Sequence, residues 1–409
     1  MKIVYLVHQF YPEFQAGTEK FVFNMAYMSQ KSGNKVKIIT YSLGEPNSFP
    51  YRANNILYKE FHYKGLPILA YRYEREPGDL HFNIDPNADL NFAREILQQE
   101  KPDLIHVGHL MRVYPFLLAA RQLKIPYLLT ITDFHLLCPK IILTPTADSL
   151  CSGPERGQNC LKLCHELPEL FITNRLNLST EIIRDAVAVV APSKFVAGIF
   201  EHEVDGLKVQ INRHGIRQSN IRIRDQVYQA EDVIRFGYIG NLAIHKGVHV
   251  LVRAFTGIDS PRTNLSIYGS GQTAYTNQLK QITGNADVRF AGTFQPEDLS
   301  KVFDQIDVLV APSICYETYS FVVHEALASE VPVITSDLGG MAEQIESEVN
   351  GFCFEAGNQQ ELQGMMQKII DDPTILNKMK EHIRLETFVP SIEQEAYKYQ
   401  QLYQTETNG

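Results

Sequence analysis

Residues 311–336 read APSICYETYSFVVHEALASEVPVITS. The apolar run 308–310 leads into Ala311-Pro312-Ser313, and Val331-Pro332-Val333-Ile334 closes the stretch. Between them lie Glu317 and Glu325, with seven residues separating them. The order reads as strand, loop, helix, strand, the repeating unit of a parallel α/β sheet. Glu317 falls on a loop at the carboxyl end of a strand, where open α/β sheets hold their ligands. Glu325 falls inside the helix that follows. Two carboxylates so placed suit a polyhydroxylated ligand, because each oxygen pair accepts from neighbouring hydroxyls. The backbone N–H groups that open the helix, around Tyr319, Ser320 and Phe321, favour an anion such as a diphosphate.

The same pattern extends outward in both directions. Apolar runs occur at residues 3–7, 36–40, 104–107, 127–131 and 188–190, and again at 234–239, 265–268, 288–290, 308–310 and 331–334. Their hydrophobicity is continuous rather than alternating, which predicts strands buried on both faces of a parallel sheet. Intervening segments are long enough for crossover helices, for example residues 18–31, ended by Gly33. The expectation is α/β organisation twice over. Residues 1–215 would form the first doubly wound domain, 216–388 the second, and 389–409 a terminal helix crossing back to the first. The polar segment 217–232 reads as the connection between domains.

Bulk properties narrow the classes of function. A net charge of −9 argues against nucleic acid as a partner. The start, MKIVYLVHQFYPE, carries one lysine and a short apolar run followed by Pro12 and Glu13, which is a first strand rather than a signal peptide. No window approaches the ~20 apolar residues of a membrane span. A cytoplasmic chain is expected, with peripheral membrane contact left open. Six cysteines are few for this length. Cys315 and Cys353 sit in apolar company and read as core residues. Cys138, Cys151, Cys160 and Cys164 share one loop-like stretch. Cys160 and Cys164 form a tight pair and the other two are spread, so free thiols, a structural metal and disulfides all stay open.

The 311–336 stretch resembles the signature of glycosyltransferase family 4: Pro-Ser, a loop, Glu, an aromatic-small pair, then Glu-Ala-x-Ala-x-x-x-Pro-Val-Ile. Tyr319-Ser320 stands where the family has Phe-Gly. Residues 237–247, GYIGNLAIHKG, resemble its Gly-Arg-Leu-x-x-x-Lys-Gly element, with Gly240 retained, Asn241 in place of arginine, and Lys246 as the lysine that meets the donor diphosphate. LSIYGSG with Gly269, and VRFAGTF with Thr293 and Phe294, resemble the strand-to-glycine turns that hold the nucleotide base. Residues 12–19, PEFQAGTE, resemble the family's glycine loop, with Gly17, Thr18 and Glu19 at the start of the first helix. DLIHVGH and TITDF resemble two further strand ends. His109 or His106 is then expected to contact the transferred sugar, and Asp133 to orient the acceptor.

The resemblance implies the GT-B architecture, two facing Rossmann-like domains with a cleft between them. It implies a retaining, metal-independent hexosyltransferase with UDP-glucose as the favoured donor and a saccharide or lipid-linked saccharide as acceptor, working in surface polysaccharide biosynthesis. Glu317 would contact the donor sugar, Glu325 the ribose, and Lys246 the β-phosphate. No cofactor is required on this reading, and the chain contains no Asp-x-Asp to hold a divalent cation. Two rivals stand beside it. Gly269-Ser270-Gly271-Gln272-Thr273-Ala274 fits the G-x-G-x-x-A pattern of a nicotinamide enzyme, although no strand of that half ends in the expected ribose-binding acid. A sugar-nucleotide epimerase would share the fold.

Overall fold

Most of the continuous apolar runs become strands that are buried along their length. The computed structural model describes residues 1–78, 90–146 and 149–407. Contacts divide the chain into unit 1, Met1–His214 with Ile392–Gly409, and unit 2, Gly215–Ser391.

Unit 1 holds β1 (Lys2–Val7), β2 (Lys35–Tyr41), β3 (Tyr51–Ala53), β4 (Ile56–Tyr63), β5 (Leu66–Tyr73), β6 (Leu104–Val107), β7 (Tyr127–Thr130), β8 (Ala188–Ala191) and β9 (Gln210–Ile211). They form one sheet in the order β3-β4-β5-β2-β1-β6-β7-β8-β9. β1 lies between β2 and β6, with Ile3 opposite Val36 on one side and Leu104 on the other. The sheet is not purely parallel, which corrects the expectation for this half. β4 and β5 form an antiparallel hairpin in which Tyr63 faces Leu66. Lys64 and Gly65 turn it with φ of 47° and 84°, the positive pair that a tight two-residue hairpin needs. β4 reads ILYKEFHY and alternates between the two faces, so a search for continuous apolar runs passes over it.

Unit 2 holds β10 (Ile234–Ile239), β11 (Thr263–Tyr268), β12 (Val288–Gly292), β13 (Val308–Ala311), β14 (Val333–Ser336) and β15 (Gly351–Phe354). Their order is β12-β11-β10-β13-β14-β15, with every pairing parallel. Counted within the unit this is 3-2-1-4-5-6, and the winding reverses between β10 and β13. Unit 1 reverses in the same way between β1 and β6. Ligands of doubly wound sheets bind at the carboxyl ends of the strands flanking such a reversal. The residues after β10 and β13, and after β1 and β6, are therefore the ones to inspect.

Two further segments take definite places. The helix Ile392–Thr407 packs within unit 1, where Tyr403 Oη lies 2.6 Å from His106 Nδ1 and Tyr399 Oη 2.9 Å from Thr130 Oγ1. The segment 217–232 is not a free connection. Arg224 pairs with Asp307, Tyr228 donates to the same carboxylate at 2.9 Å, and Lys380 donates to Arg224 O at 2.9 Å. Arg224 and Tyr228 serve buried Asp307, while Arg217, Gln218, Arg222, Asp225, Gln229 and Glu231 face solvent. Among the described residues no helix is long and apolar enough to cross a membrane.

Candidate active site

The loops after β10 and β13 are locked together at the reversal point of unit 2. After β10 the chain makes one tight turn, Ile244–Lys246, and leaves it at Gly247 with φ of 66°. A Cβ on Gly247 would stand 1.8 Å from Pro312 O, so only glycine lets the two loops approach this closely. The Ile314 N–H donates to His245 O at 2.9 Å across the same seam. This closeness places Lys246 Nζ 2.5 Å from Glu317 Oε1, and Ser313 Oγ donates to the same oxygen at 2.7 Å. Gly340 N–H donates to Glu317 O at 2.7 Å, and Gly339, with φ of 69°, leaves room for that carbonyl.

The electrostatics of the pair follow from this geometry. Burial alone would push the Glu317 carboxyl up, but Lys246 and Ser313 hold it below its ordinary value. Burial alone would lower the Lys246 ammonium, yet Glu317 raises it. Both groups are therefore charged at neutral pH and already paired. The side chains remain 30% and 16% exposed respectively, so a ligand anion can reach the lysine. Beside them, burial and then Lys246 push His245 down, keeping it neutral.

The helix Phe321–Ala328 begins directly after this pair. Ser320, its N-cap, has φ of 66°, a conformation that costs serine and suits the glycine usual in the resembled signature. Tyr319 is buried and its ring stacks on His324 at 3.8 Å. Phe321 meets Tyr319 edge-on at 5.9 Å. Glu325 lies one turn into the helix and is 8% exposed. Ser313 was quoted in the sequence pattern without a role; its hydroxyl proves to orient Glu317.

The glycines read as a dinucleotide pattern have a different cause. A Cβ on Gly269 would stand 1.8 Å from Gly240 O, and one on Gly271 2.0 Å from Leu242 O. Gly240 N–H donates to Tyr268 O at 3.0 Å and Leu242 N–H to Ser270 O at 2.8 Å. These glycines let the loop after β11 lie against the loop after β10, which accounts for them without a nicotinamide cofactor. Asn241 is exposed, and its carbonyl accepts from Tyr238 Oη at 2.8 Å. Thr293 is exposed and Phe294 half-buried past the end of β12, with the Phe294 ring edge-on to Tyr268 at 6.0 Å.

In unit 1, Gly108 and His109 follow β6, and Asp133 follows β7. Gly108 is required because a Cβ would stand 2.3 Å from Val22 Cγ2 on the first helix, Gly17–Lys31. His109 Nδ1 accepts from the Met111 N–H at 3.1 Å, which leaves Nε2 to donate to Asp133 Oδ2 at 2.6 Å. His135 N–H holds the other oxygen of Asp133 at 2.8 Å. The His109 ring lies 4.0 Å from that of His8 and 5.1 Å from that of His135. Burial first, then the neighbouring cations and histidines, push His8 and His135 well below the ordinary histidine value. A small pocket is lined by Gly108, His109, Thr130, Thr132, Asp133 and His135 among others. Gly17 is exposed and Thr18 half-buried at the start of the first helix, where Glu19 folds back to accept from the Ala16 N–H at 2.6 Å. His8 and His135 were missed in the sequence; His8 could have been found from its place immediately after β1.

His106 is a correction. It is fully buried, with Tyr403 Oη on Nδ1 and Thr130 Oγ1 on Nε2 at 2.7 Å. Burial lowers it to about 3. It is a neutral core residue tying the terminal helix to β6, and no ligand reaches it.

Comparison with known proteins gives the family and the fold. A family model described as Glycosyl transferases group 1 matches residues 220–386, and one described as Glycosyltransferase Family 4 matches residues 16–218. An uncharacterized glycosyltransferase of Methanocaldococcus jannaschii is 30% identical over 43% of this chain and 48% of its own, so the chain spans about half the length of that relative. A GDP-mannose-dependent alpha-mannosyltransferase of Corynebacterium glutamicum is 26% identical over 76% of this chain and 69% of its own. The solved structure of Anabaena HepE in complex with UDP and glucose superposes with a TM-score of 0.69 at 17% identity, covering 99% of this chain and 100% of that one. The fold is that of the GT-B glycosyltransferases.

Proposed function

Because the chain belongs to glycosyltransferase family 4, we propose that it transfers a hexose from UDP-glucose, with retention, to a saccharide or lipid-linked saccharide acceptor of surface polysaccharide synthesis. The observation that carries this reading is the Lys246–Glu317 pair, set by a glycine-locked seam at the reversal point of a 3-2-1-4-5-6 sheet. Lys246 takes the β-phosphate of the donor, and its charge stabilises the diphosphate as the sugar–oxygen bond breaks. Ser313 keeps Glu317 oriented while Lys246 turns toward phosphate, leaving the carboxylate free to accept from donor-sugar hydroxyls. Glu325 takes the ribose. The amides at Tyr319 to Phe321 add to the anion site. Gly240, Gly269, Thr293 and Phe294 border the base, and exposed Asn241 is the neutral substitute for a second cation.

In unit 1, the His109–Asp133 pair serves the sugar and acceptor, with Gly17 and Thr18 at its margin. Metal is not required on this reading, since Lys246 and the amides neutralise the leaving group. UDP-glucose is favoured by the UDP and glucose in HepE, while the mannosyltransferase relative keeps a GDP-sugar among the donors to test. A lipid-linked acceptor would bring the cytoplasmic chain to a membrane surface.

The test is release of nucleoside diphosphate from a panel of UDP- and GDP-sugars, with chelator present. Slow UDP release from UDP-glucose, abolished in Glu317→Ala, is the expected result. Release from another donor alone corrects the sugar. Donor turned over to an isomeric sugar nucleotide, with no diphosphate released, would point to an epimerase. No binding of any donor would overturn the reading.

A further inference from the structure

We propose that Cys138, Cys151, Cys160 and Cys164 bind a structural zinc ion in unit 1. The four come from separate turns: Cys138 lies beyond β7, Cys151 on the loop that follows, Cys160 in the helix Gln158–Leu163, and Cys164 at that helix's C-cap. All four are buried, although Leu150, Leu161 and Leu163 of the same stretch are exposed. All four line one small pocket, together with Leu143, Pro145 and Pro154. Every sulfur is within electrostatic reach of the other three.

Cys151 Sγ donates to Gly153 O at 3.1 Å, and burial holds Cys138, Cys151 and Cys160 above the ordinary thiol value, so the cluster carries thiols whose protons an ion must displace. Charge is also provided for. Zinc with four thiolates carries two net negative charges, and Arg175, 4% exposed, is electrostatically drawn to Cys138 and Cys160. Lys140 is similarly drawn to Cys164 and Cys138. The architecture shows the need: from residue 131 to residue 157 no described residue belongs to a helix or strand. So long an irregular stretch inside a domain is uncommon without something to fix it. Four protein ligands leave no open position, which makes the site structural.

Among the described residues no three His, Cys, Asp or Glu side chains already stand in the arrangement of a bound ion. The four residues line one pocket without being so placed, and binding requires their side chains to rearrange. On binding, zinc replaces the four thiol hydrogens, which leave to solvent as protons, and nothing is oxidised or reduced. Through Arg175, which donates to the His135 and Leu136 carbonyls, the ion would also steady the turn that carries Asp133.

The full chain, purified on a non-chelating resin from zinc-supplemented culture, is analysed for metal by mass spectrometry. The expected result is about one zinc per chain. Cys160→Ser and Cys164→Ser fall to background, while Cys353→Ser, outside the cluster, keeps its zinc. Should the serine variants not fold, the wild-type chain decides alone. An organomercurial then releases about one zinc per chain to a chromogenic chelator, and cobalt-grown protein shows the charge-transfer band of tetrahedral thiolate cobalt. Wild-type chain free of zinc would overturn the proposal, as would a non-reducing mass showing these cysteines joined as disulfides.

Discussion

Replacing Gly247 with alanine tests whether the seam between the β10 and β13 loops is what positions Lys246. Gly247 holds φ at 66°, and a Cβ there would stand 1.8 Å from Pro312 O and 3.3 Å from Ile314 Cγ2. Carbon does not approach a carbonyl oxygen that closely, so one backbone must give by roughly an ångström. The left-handed conformation costs an alanine about 1 kcal/mol. Overpacking adds ~1–3 kcal/mol, for a total of roughly 2–4 kcal/mol. Gly357 supplies the control. It lies in the same unit with φ of 82° and nothing within 4 Å of a Cβ, so Gly357→Ala carries only the first cost. Urea unfolding of the two variants separates strain from collision. Moving Lys246 by about an ångström relative to Glu317 should lower kcat/KM on the order of 10²-fold, measured as diphosphate release. Gly357→Ala should leave turnover unchanged. If Gly247→Ala unfolds like Gly357→Ala and keeps full turnover, the seam does not position the lysine and the reasoning is refuted.

Acid should destabilise the chain through its buried histidines. His106 is lowered from 6.5 to about 3, so the native state resists a proton that the unfolded chain binds. Its contribution is fully present above about pH 6.5 and is lost as pH falls toward 3, at about 1 kcal/mol by pH 5.5. His8 and His135 act in the same direction; His106→Gln should reduce the pH slope of urea stability by about one proton, and an unchanged slope would contradict the assignment. Ser320 holds φ of 66° at the start of the helix carrying Glu325. Ser320→Gly should keep turnover and stabilise unit 2 by up to about 1 kcal/mol in thermal unfolding, whereas a loss of stability would mean the serine side chain has a role of its own.

Much of the fold was legible because buried parallel strands must be apolar on both faces. All ten strands read from the sequence exist, within a residue or two at their ends. β5 (LPILAYRY) and β15 (GFCF) carry largely buried apolar runs that were passed over, whereas other features escaped for a physical reason. β4 is half-exposed and alternates, so it carries no continuous run. The 217–232 segment looked like a connection because its charges are numerous, but Arg224 is spent on Asp307. The nucleotide-side pattern was readable because Lys246 and Glu317 each follow a strand at the reversal point. Their bond was not, since they stand 71 positions apart and only the glycine seam brings them together. His106 and His109 look alike in sequence, three residues apart on a strand and its end. Burial and the distant Tyr403 make one a core residue and leave the other beside Asp133. The four cysteines are spaced too unevenly for their common cavity to be read from the chain.

Binding of UDP, followed by calorimetry with chelator present, compares the wild-type chain with Lys246→Ala most directly. The account predicts metal-independent binding by the wild type. It predicts binding weaker by roughly 10–100-fold in the variant, the worth of a charge-assisted phosphate contact. Equal affinity in the two proteins, or binding that appears only when a divalent cation is added, would contradict the claim that Lys246 is the diphosphate's partner.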